Sequence, residues 1–288
     1  MNPKPDPLAP LLQRFNIHAQ MFFSGNFCGR ADYGKEVDVG YLHLIRGGQT
    51  RLSNDRGQTL ELSEPSLVFY SRPMWHWFEP DPVHGVDLVC ASVHFEHKAF
   101  NPIALALPDQ VVRPLSAMPL AAPVLAVLFA EAFADNLGRQ AVLNRLFEVV
   151  LVELLRAQLL AVDAQPGFLR GLGHPQIGRA LYAIHAEPER AWGLAALAAV
   201  AGMSRASFAA AFRAQVDITP GEYLTRWRIS VAQALLRQDM PLKQVAERVG
   251  YESQTGFLKA FKALLGVTPT AWRQGELPEL PDLVRARD

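Results

Sequence analysis

Two kinds of hydrophobic periodicity follow each other along the chain. Between residues 38 and 95, short runs of β-branched and aromatic residues alternate with turn residues such as Gly47, Gly48 and Pro65, as is typical of antiparallel strands. The predicted strands are 41–45, 49–54, 59–62, 66–70, 76–79 and 86–95. Many short strands at close spacing predict a small β-sandwich or barrel.

Helical periodicity replaces the strand pattern after about Met118. Residues 119–135 and 138–162 are predicted helices, and the second is apolar on more than one face. Two interpretations of 138–162 stay open: it packs only on the strands, or part of it forms a homodimer interface. Residues 163–173, which contain three glycines and a proline, predict a linker, and His174 and Pro175 open the next helix.

Composition narrows the class of protein. The 288 residues are 50% hydrophobic and 19% charged, which predicts two globular domains and excludes wholesale disorder. Two cysteines are too few for a secreted disulfide scaffold. The apolar stretches are shorter than the ~20 residues that span a bilayer, and the N-terminus does not resemble a signal peptide. We therefore expect a soluble cytoplasmic protein with no membrane partner.

The net charge of zero hides an uneven distribution. Residues 174–273 carry 12 basic and 7 acidic side chains, a net charge of +5. Residues 1–173 carry 14 basic and 17 acidic side chains, and the tail 274–288 carries 2 and 4. A basic segment beside an acidic one is typical of a nucleic-acid-binding module, although charge alone equally allows ordinary surface variation.

An internal repeat lies within the basic segment. Residues 197–202 match residues 245–250 at an offset of 48, and the later matches have an offset of 49, so one residue is inserted in the second turn. The later matched pairs are Phe208 with Phe257, Phe212 with Phe261, Thr219 with Thr268, Pro220 with Pro269, and Tyr223 with Trp272.

Each copy has the layout of a helix-turn-helix motif. A short apolar helix ends at a glycine, and Ser204 or Ser253 then caps a second helix that two phenylalanines hold in place. Residues 220–237 predict one connecting helix of about 27 Å, close to the ~34 Å between successive turns of the major groove. Two copies at this spacing favour DNA binding over a two-lobed helical bundle without a DNA role.

Residues 174–273 resemble the DNA-binding domain of the AraC/XylS family of bacterial transcription regulators. The matching segments are 203–208, 212–213, 219–224, 249–253, Phe257, 261–262 and 266–269. The resemblance implies that the two motifs bind asymmetric half-sites in double-stranded promoter DNA. It also implies recruitment of RNA polymerase, usually to activate transcription.

By position, the same resemblance implies which residues contact DNA. The first motif contributes Ser204, Arg205, Ala206, Ser207, Ala209, Ala210 and Arg213, and the second contributes Ser253, Gln254, Thr255, Gly256, Leu258, Lys259 and Lys262. Alanine can contact only a thymine methyl, so the first helix is expected to read few bases. Gln254 suits an adenine edge and Lys259 suits guanine or a phosphate, whereas Arg and Lys residues that contact phosphates alone remain an alternative.

The N-terminal strands resemble the cupin-type sensor domain of one AraC/XylS subgroup, through residues 41–44, the Gly47-Gly48 turn and Pro73 followed by His76. The implied fold class is α+β: a cupin-like antiparallel β-barrel with a helical pair, followed by an all-α domain of two helix-turn-helix motifs joined by a long helix. The expected domains are 1–162 (sensor and dimerisation), 163–173 (linker), 174–273 (DNA-binding) and 274–288 (polar tail).

Many cupins are metal enzymes, but the residues present do not favour this alternative. The first cupin motif supplies an H-x-H pair, which residues 33–41 lack, and only His76 matches a usual ligand position. His94 and His97 would point to opposite faces of a strand. We therefore expect no metal, no cofactor and no enzymatic activity.

Both cysteines lie in the predicted sensor domain, and their placement resembles that of the reactive-chlorine-responsive members of the family. This resemblance implies that an oxidant modifies Cys28 and that Cys90 resolves it to a disulfide, which requires Cα atoms within about 7 Å. Two small buried side chains without a redox role remain an alternative. A third possibility is a small-molecule effector held in a barrel cavity by Tyr41, His43, Trp75 and His76.

Overall fold

The computed structural model describes residues 6, 8–14, 17–34, 39–95, 103, 107–159 and 167–274. The chain divides into two compact units. One contains residues 16–98 and 107–161, and the other contains residues 1–15, 99–106 and 162–288, so helix α1 (Ala9–Arg14) belongs to the second unit. Residues 160–166, in and before the predicted linker, and the predicted tail after Gln274 lie outside the described residues.

The first unit is built on two antiparallel sheets. Its strands are β1 (Ile17–Phe27), β2 (Ala31–Tyr33), β3 (Val39–Gly48), β4 (Thr50–Asn54), β5 (Thr59–Leu62), β6 (Ser66–Tyr70), β7 (His76–Pro80), β8 (Val86–Phe95) and β9 (Gln110–Pro114). One sheet has the order β1-β8-β3-β6-β9 and the other β2-β7-β4-β5. The predicted antiparallel β-domain is confirmed, and of the two predicted forms it is the sandwich: among the described residues, the edge strands of one sheet do not pair with those of the other, so the sheets are not closed into a barrel.

The six predicted strands correspond to β3–β8, with ends that differ by at most a few residues, whereas β1, β2 and β9 were missed. In β1, polar residues and a glycine interrupt the alternation of apolar and polar positions that a half-buried strand would show. Only two of its eleven residues are buried. β2 has only three residues. Pairing with β8 and β7 makes these segments strands, and that pairing depends on the tertiary structure.

The core of this unit lies between the two sheets. Side chains from both meet there, including Ile45 and Leu88 from the larger sheet and Leu52 and Phe78 from the smaller one. All four are less than 2% exposed. Burial of this apolar surface is the main stabilising contribution to the sandwich.

The two predicted helices of this unit are confirmed as α2 (Ala122–Ala132) and α3 (Arg139–Leu159), and α3 packs against β1. A β-bulge interrupts β1 between Met21 and Phe23. There Asn144 of α3 accepts a hydrogen bond from the Met21 amide at 2.8 Å, and Gln140 donates one to its carbonyl. The helix thus satisfies backbone groups at the bulge.

Between residues 167 and 274, the regular secondary structure of the second unit is entirely helical. Its helices are α4 (Phe168–Gly173), α5 (Ile177–Ala186), α6 (Leu194–Ala201), α7 (Arg205–Val216), α8 (Pro220–Arg237), α9 (Leu242–Arg248), α10 (Gln254–Leu265) and α11 (Pro269–Arg273). The predicted connecting helix is confirmed at both ends as α8. It begins with a capping box in which Thr219 and Glu222 bond reciprocally.

Residues 168–173, which the sequence analysis included in the linker, form α4. Leu169 and Leu172 are buried, and this apolar pair favours a helix over an exposed linker. Gly171 lets α4 approach α7 closely, because a Cβ there would lie 2.6 Å from a methyl group of Val216. Gly171 therefore has a packing role in addition to being a turn signal.

Within the described residues, no single helix is both long and apolar enough to cross a membrane. Helices α6 and α7 reach that length and composition only together, and they meet at an angle of 82°.

Candidate nucleic-acid interface and sensor core

The sequence repeat corresponds to two helix-turn-helix motifs, α6–α7 and α9–α10. The turns contain Gly202 at φ 67° and Gly250 at φ 80°, in the left-handed region that glycine occupies without strain. Ser204 caps α7 by accepting a hydrogen bond from the Ser207 amide at 3.2 Å. Ser253 caps α10 in the same way, through the Gly256 amide at 3.1 Å. The predicted capping serines are thus confirmed in both copies.

One face of each second helix is held by a pair of phenylalanines. Phe208 and Phe212 of α7, like Phe257 and Phe261 of α10, are fully buried. Their ring centroids lie 5.6 Å apart in the first motif and 5.7 Å apart in the second, in edge-to-face arrangements. Because the apolar anchors occupy one side, the opposite face of each helix is free to contact a partner.

The residues predicted to contact DNA lie on these opposite faces. Those that are exposed are Ser204, Arg205, Ala206, Ser207, Ala210, Arg213, Ser253, Gln254, Thr255, Lys259 and Lys262, and those that are partly exposed are Ala209, Gly256 and Leu258. A groove of about 540 Å³ runs beside α7, with Ala209, Ala210 and Arg213 in its lining. The α7 surface therefore carries three alanines between two serines and two arginines, whereas α10 presents the amide of Gln254 and the ammonium groups of Lys259 and Lys262.

A buried chain of hydrogen bonds lies between the two sheets of the first unit. Cys90 Sγ is 3.0 Å from His43 Nδ1, and His43 Nε2 is 2.8 Å from His76 Nε2. His76 Nδ1 is 2.8 Å from the carbonyl oxygen of Met74. All three side chains are fully buried.

The carbonyl at the end of this chain determines the position of every proton in the neutral state. A carbonyl only accepts, so His76 Nδ1 carries a hydrogen and its Nε2 accepts. His43 Nε2 must then donate to His76, which leaves His43 Nδ1 to accept from the Cys90 thiol. The donors therefore run in one direction, from the thiol to Met74.

Burial keeps Cys90, His43 and His76 in this neutral state at physiological pH. Desolvation raises the pKa of the Cys90 thiol well above its usual range. Burial also lowers the pKa of His76 to about 4 and holds that of His43 well below its ordinary value, with the adjacent His76 as a second cause for His43. A neutral thiol next to a neutral imidazole is therefore the resting form.

Aromatic rings surround the two histidines. Tyr70 stacks on His76 at a centroid distance of 4.0 Å, and Tyr33 lies 4.7 Å from His43 and 5.1 Å from His76. Of the predicted effector-pocket residues, Tyr41, His43 and His76 come together here, whereas Trp75 is 44% exposed. Aromatic rings therefore pack directly against both imidazoles.

The histidine pair does not fit a metal centre. Within the described ranges, no group of three or more His, Cys, Asp or Glu side chains is arranged to hold a metal ion. His43 directs one ring nitrogen to Cys90 and the other to His76. These potential metal ligands therefore point at each other and not at a shared position where an ion could bind.

The expected pairing of the two cysteines does not occur in this conformation. Cys28 is exposed and Cys90 is buried, and both are free thiols. Phe27 pairs with Val86 and Phe23 pairs with Cys90, so Cys28 comes beside Gly85, five residues along β8 from Cys90. At ~3.3 Å per residue the separation is roughly 16 Å, well beyond the ~7 Å limit for a disulfide.

The partner of Cys90 was not found from the sequence. Along its own strand the nearest candidate is His94, which instead lies 3.1 Å from the hydroxyl of Ser92. The partner, His43, is 47 residues away and directly opposite Cys90 in the β3–β8 register. Only the strand register, set by tertiary packing, brings the two together.

Comparison with known proteins agrees with both halves of this description. A cupin family model matches residues 6–159, and a helix-turn-helix domain model matches residues 197–275. An AraC-like transcription regulator of Streptomyces lividans, described as putative, is 30% identical over 95% of this chain and 98% of its own length. The chain therefore belongs to the AraC-like transcription regulators with an N-terminal cupin domain, and it is a DNA-binding transcription regulator.

Two further relatives are similar over different extents. A second AraC-like regulator described as putative, from Streptomyces antibioticus, is 41% identical, but the match spans 48% of this chain and 46% of that protein. The RCS-specific transcriptional activator RclR of Escherichia coli is 27% identical over 83% of this chain and 86% of its own length.

The neutral histidine pair predicts how stability depends on pH. Above pH ~6.5 both folded and unfolded His76 are neutral, but below it only the unfolded chain binds a proton until the pH approaches the folded value of about 4. We expect the free energy of unfolding to fall as pH decreases through this window, by up to about 3 kcal/mol from His76.

Urea unfolding between pH 7.5 and pH 4.5 measures this dependence. His76→Gln should weaken the decline, because glutamine does not titrate in this range. An equal pH dependence in wild type and His76→Gln would contradict the prediction.

Proposed function

We propose that this regulator binds promoter DNA with both helix-turn-helix motifs at once and activates transcription by recruiting RNA polymerase. The observation that carries the proposal is the pair of helices α7 and α10, each held by two buried phenylalanines on one face and exposed on the other. In such motifs the second helix enters the major groove.

The two recognition helices differ in the kind of readout they offer. Gln254 suits bidentate hydrogen bonding to adenine, and Lys259 suits guanine or a phosphate. On α7, Ala206, Ala209 and Ala210 offer only methyl contacts, so Arg205 and Arg213 there serve mainly as phosphate contacts. We propose that α10 carries most of the base-specific hydrogen bonding and that α7 contributes shape, methyl contacts and charge.

Substitutions on α10 should separate specificity from charge. Gln254→Ala is expected to cost about 1–3 kcal/mol at one base-pair position and to relax specificity there. Lys262→Ala should weaken binding uniformly across sequences and reduce the slope of log affinity against log salt by about 1.

Fluorescence anisotropy on operators selected in vitro from random DNA measures both effects. Arg51→Ala, which removes one charge from an exposed site on β4 in the cupin unit, is the matched control and should retain the wild-type slope. Loss of affinity at every base-pair position in Gln254→Ala would argue against a base contact by this residue.

For the signal, we propose oxidant sensing with Cys90 as the reacting thiol. Its hydrogen bond to His43 Nδ1, and the onward bond to His76, supply an acceptor for the thiol proton. Hypochlorous acid would transfer Cl⁺ to sulfur: the S–Cl bond forms, the thiol proton passes to His43 as the His43 Nε2 proton passes to His76, and hydroxide leaves. Proton return gives water, and hydrolysis of S–Cl gives a sulfenic acid and HCl.

Cys28 has a different role in this proposal from the one the sequence suggested. Because it lies about five residues along the β1–β8 ladder from Cys90, a Cys28–Cys90 disulfide requires the end of β1 to leave β8. Such a rearrangement would follow oxidation of Cys90 and would convert a local chemical event into a change of the sensor fold.

Peptide mass spectrometry after treatment with a slight molar excess of hypochlorous acid tests this order of events, with transcription assayed in parallel. We expect Cys90→Ser to abolish the transcriptional response, and His76→Gln to slow Cys90 oxidation severalfold because the proton acceptor is lost. Cys28→Ser should retain Cys90 oxidation.

Two unreacted thiols with unchanged transcription would contradict oxidant sensing and favour a small-molecule effector bound near Tyr41 and Trp75. Such an effector would have to displace the rings of Tyr33 and Tyr70, which pack against the histidines.

We also propose a homodimer through the outer face of α3. Val142 and Val149 are each 42% exposed, and they lie seven residues apart on one side of a helix whose other side is buried in the cupin unit. Apolar residues at this spacing are typical of a helix–helix seam.

Sedimentation equilibrium measures the dimer. The double substitution Val142→Lys/Val149→Lys is expected to weaken self-association at least tenfold, because it places like charges in the seam. Leu137→Lys, which adds a charge at a fully exposed position before α3, is the control. A wild-type protein that sediments as a monomer at every protein concentration measured would contradict the proposal.

A further inference from the structure

We propose that Arg228 positions the two helix-turn-helix motifs relative to each other and so determines which spacing between half-sites the regulator accepts. Arg228 is a positioning residue in this proposal, since it acts through the recognition helices and does not itself need to contact DNA. The inference rests on the proposed binding of both motifs to one operator.

Arg228 lies in the middle of α8, the helix that joins the two motifs, and bonds to the loop that leads into the first motif. Its Nε donates to the carbonyl of Pro188 at 2.8 Å, and its Nη2 donates to the carbonyl of Arg190 at 2.9 Å. The loop is ordered by its own contacts, because Trp192 Nε1 donates to the carbonyl of Glu187 at 2.8 Å. One planar guanidinium therefore spans two carbonyls of a well-defined loop.

The same guanidinium contacts the second motif. Its central carbon lies 5.6 Å from the centroid of the Tyr251 ring, within the range of a cation–π interaction. Tyr251 follows the turn of that motif, and its ring packs 5.7 Å from the ring of Phe257, which holds α10 in place. The Arg228 side chain thus contacts both the loop that precedes the first motif and Tyr251, the residue that packs on Phe257 of α10.

A close backbone approach at Gly250 reinforces this contact. A Cβ on Gly250 would lie 2.5 Å from the carbonyl oxygen of Glu189 and 2.6 Å from Arg228 Nη2. The corresponding glycine of the first motif, Gly202, has a similar φ, but the nearest atom to its Cβ would be Arg179 Nη2 at an ordinary 3.6 Å. Gly250 is therefore needed both for its backbone angle and for space, and Gly202 only for its angle.

The connecting helix alone does not determine how the motifs are oriented. An 18-residue helix separates them by about 27 Å, but the rotation of each motif about that helix depends on lateral contacts. One base pair of B-DNA advances about 3.4 Å and rotates by about 34°. A change in motif orientation of this order would place a recognition helix against the wrong base pair, so the Arg228 contacts are well placed to select operator spacing.

The experiment measures affinity against operator spacing with the full-length protein. An operator selected in vitro is remade with one or two base pairs inserted or deleted between its half-sites, and a single half-site is measured alongside. For wild type we expect one inserted base pair to lower affinity about tenfold or more, comparable to a mismatched base pair.

Arg228→Lys retains the charge but cannot span both carbonyls. We expect it to lower affinity for the optimal operator about tenfold and to reduce the penalty of one inserted base pair to below about threefold, with single half-site affinity unchanged. Arg226→Lys, the same substitution two residues earlier on α8, should retain the wild-type spacing profile.

Gly250→Ala and Gly202→Ala form a second, matched pair. Both place a Cβ at positive φ, so both lower the free energy of unfolding by a similar amount. Only the Cβ of Gly250→Ala collides with the Glu189 carbonyl oxygen and with Arg228 Nη2 and displaces them. We expect Gly250→Ala to flatten the spacing profile and Gly202→Ala to preserve its shape.

Two results would overturn the proposal. The first is that Arg228→Lys and Gly250→Ala each lower affinity by the same factor at every operator spacing, which is the effect expected of a merely structural role. The second is that neither substitution changes the affinity at any spacing. A wild-type profile that does not depend on spacing would instead overturn the two-motif binding on which this inference rests.

Discussion

The functional surfaces of the DNA-binding unit depend on one constraint: each recognition helix must bury one face to leave the other free. The phenylalanine pairs of α7 and α10 satisfy it, since all four rings are fully buried while the opposite faces are exposed. Capping at Ser204 and Ser253 and left-handed glycines at the turns then determine where each helix begins. Because no core residue lies on the exposed face, its side chains can change without affecting packing. This allows α7 and α10 to present different side chains there.

The cupin unit obeys a second constraint, that buried polar groups must be hydrogen-bonded. Cys90, His43 and His76 could each be replaced by apolar residues in an ordinary sandwich core. Instead they form a directional chain that ends on a backbone carbonyl, and burial keeps every member neutral. Such a hydrogen-bonded chain costs stability at low pH and supplies a proton acceptor next to a thiol.

Much of this architecture could be predicted from local signals. Strands β3–β8, helices α2, α3 and α8, and both helix-turn-helix motifs follow from periodicity, capping residues and the internal repeat. The strands that were missed, β1, β2 and β9, carry weak alternation or are short, and they are strands because of their neighbours. Strand spacing predicted a sandwich or a barrel without deciding between them, because closure depends on edge strands that pair, and spacing does not report that pairing.

The sequence by itself determined strands β3–β8, the helices of both helix-turn-helix motifs, and which residues face away from the core on each recognition helix. These features depend on interactions within a few residues. Only the tertiary structure decided the partners of Cys90 and of Arg228, since each is bonded to residues about 40 or more positions away. It also separated Cys28 from Cys90, for which the family resemblance had implied a disulfide. Strand register and the packing of loops on helices set these distances, and neither is encoded in any short segment of the chain.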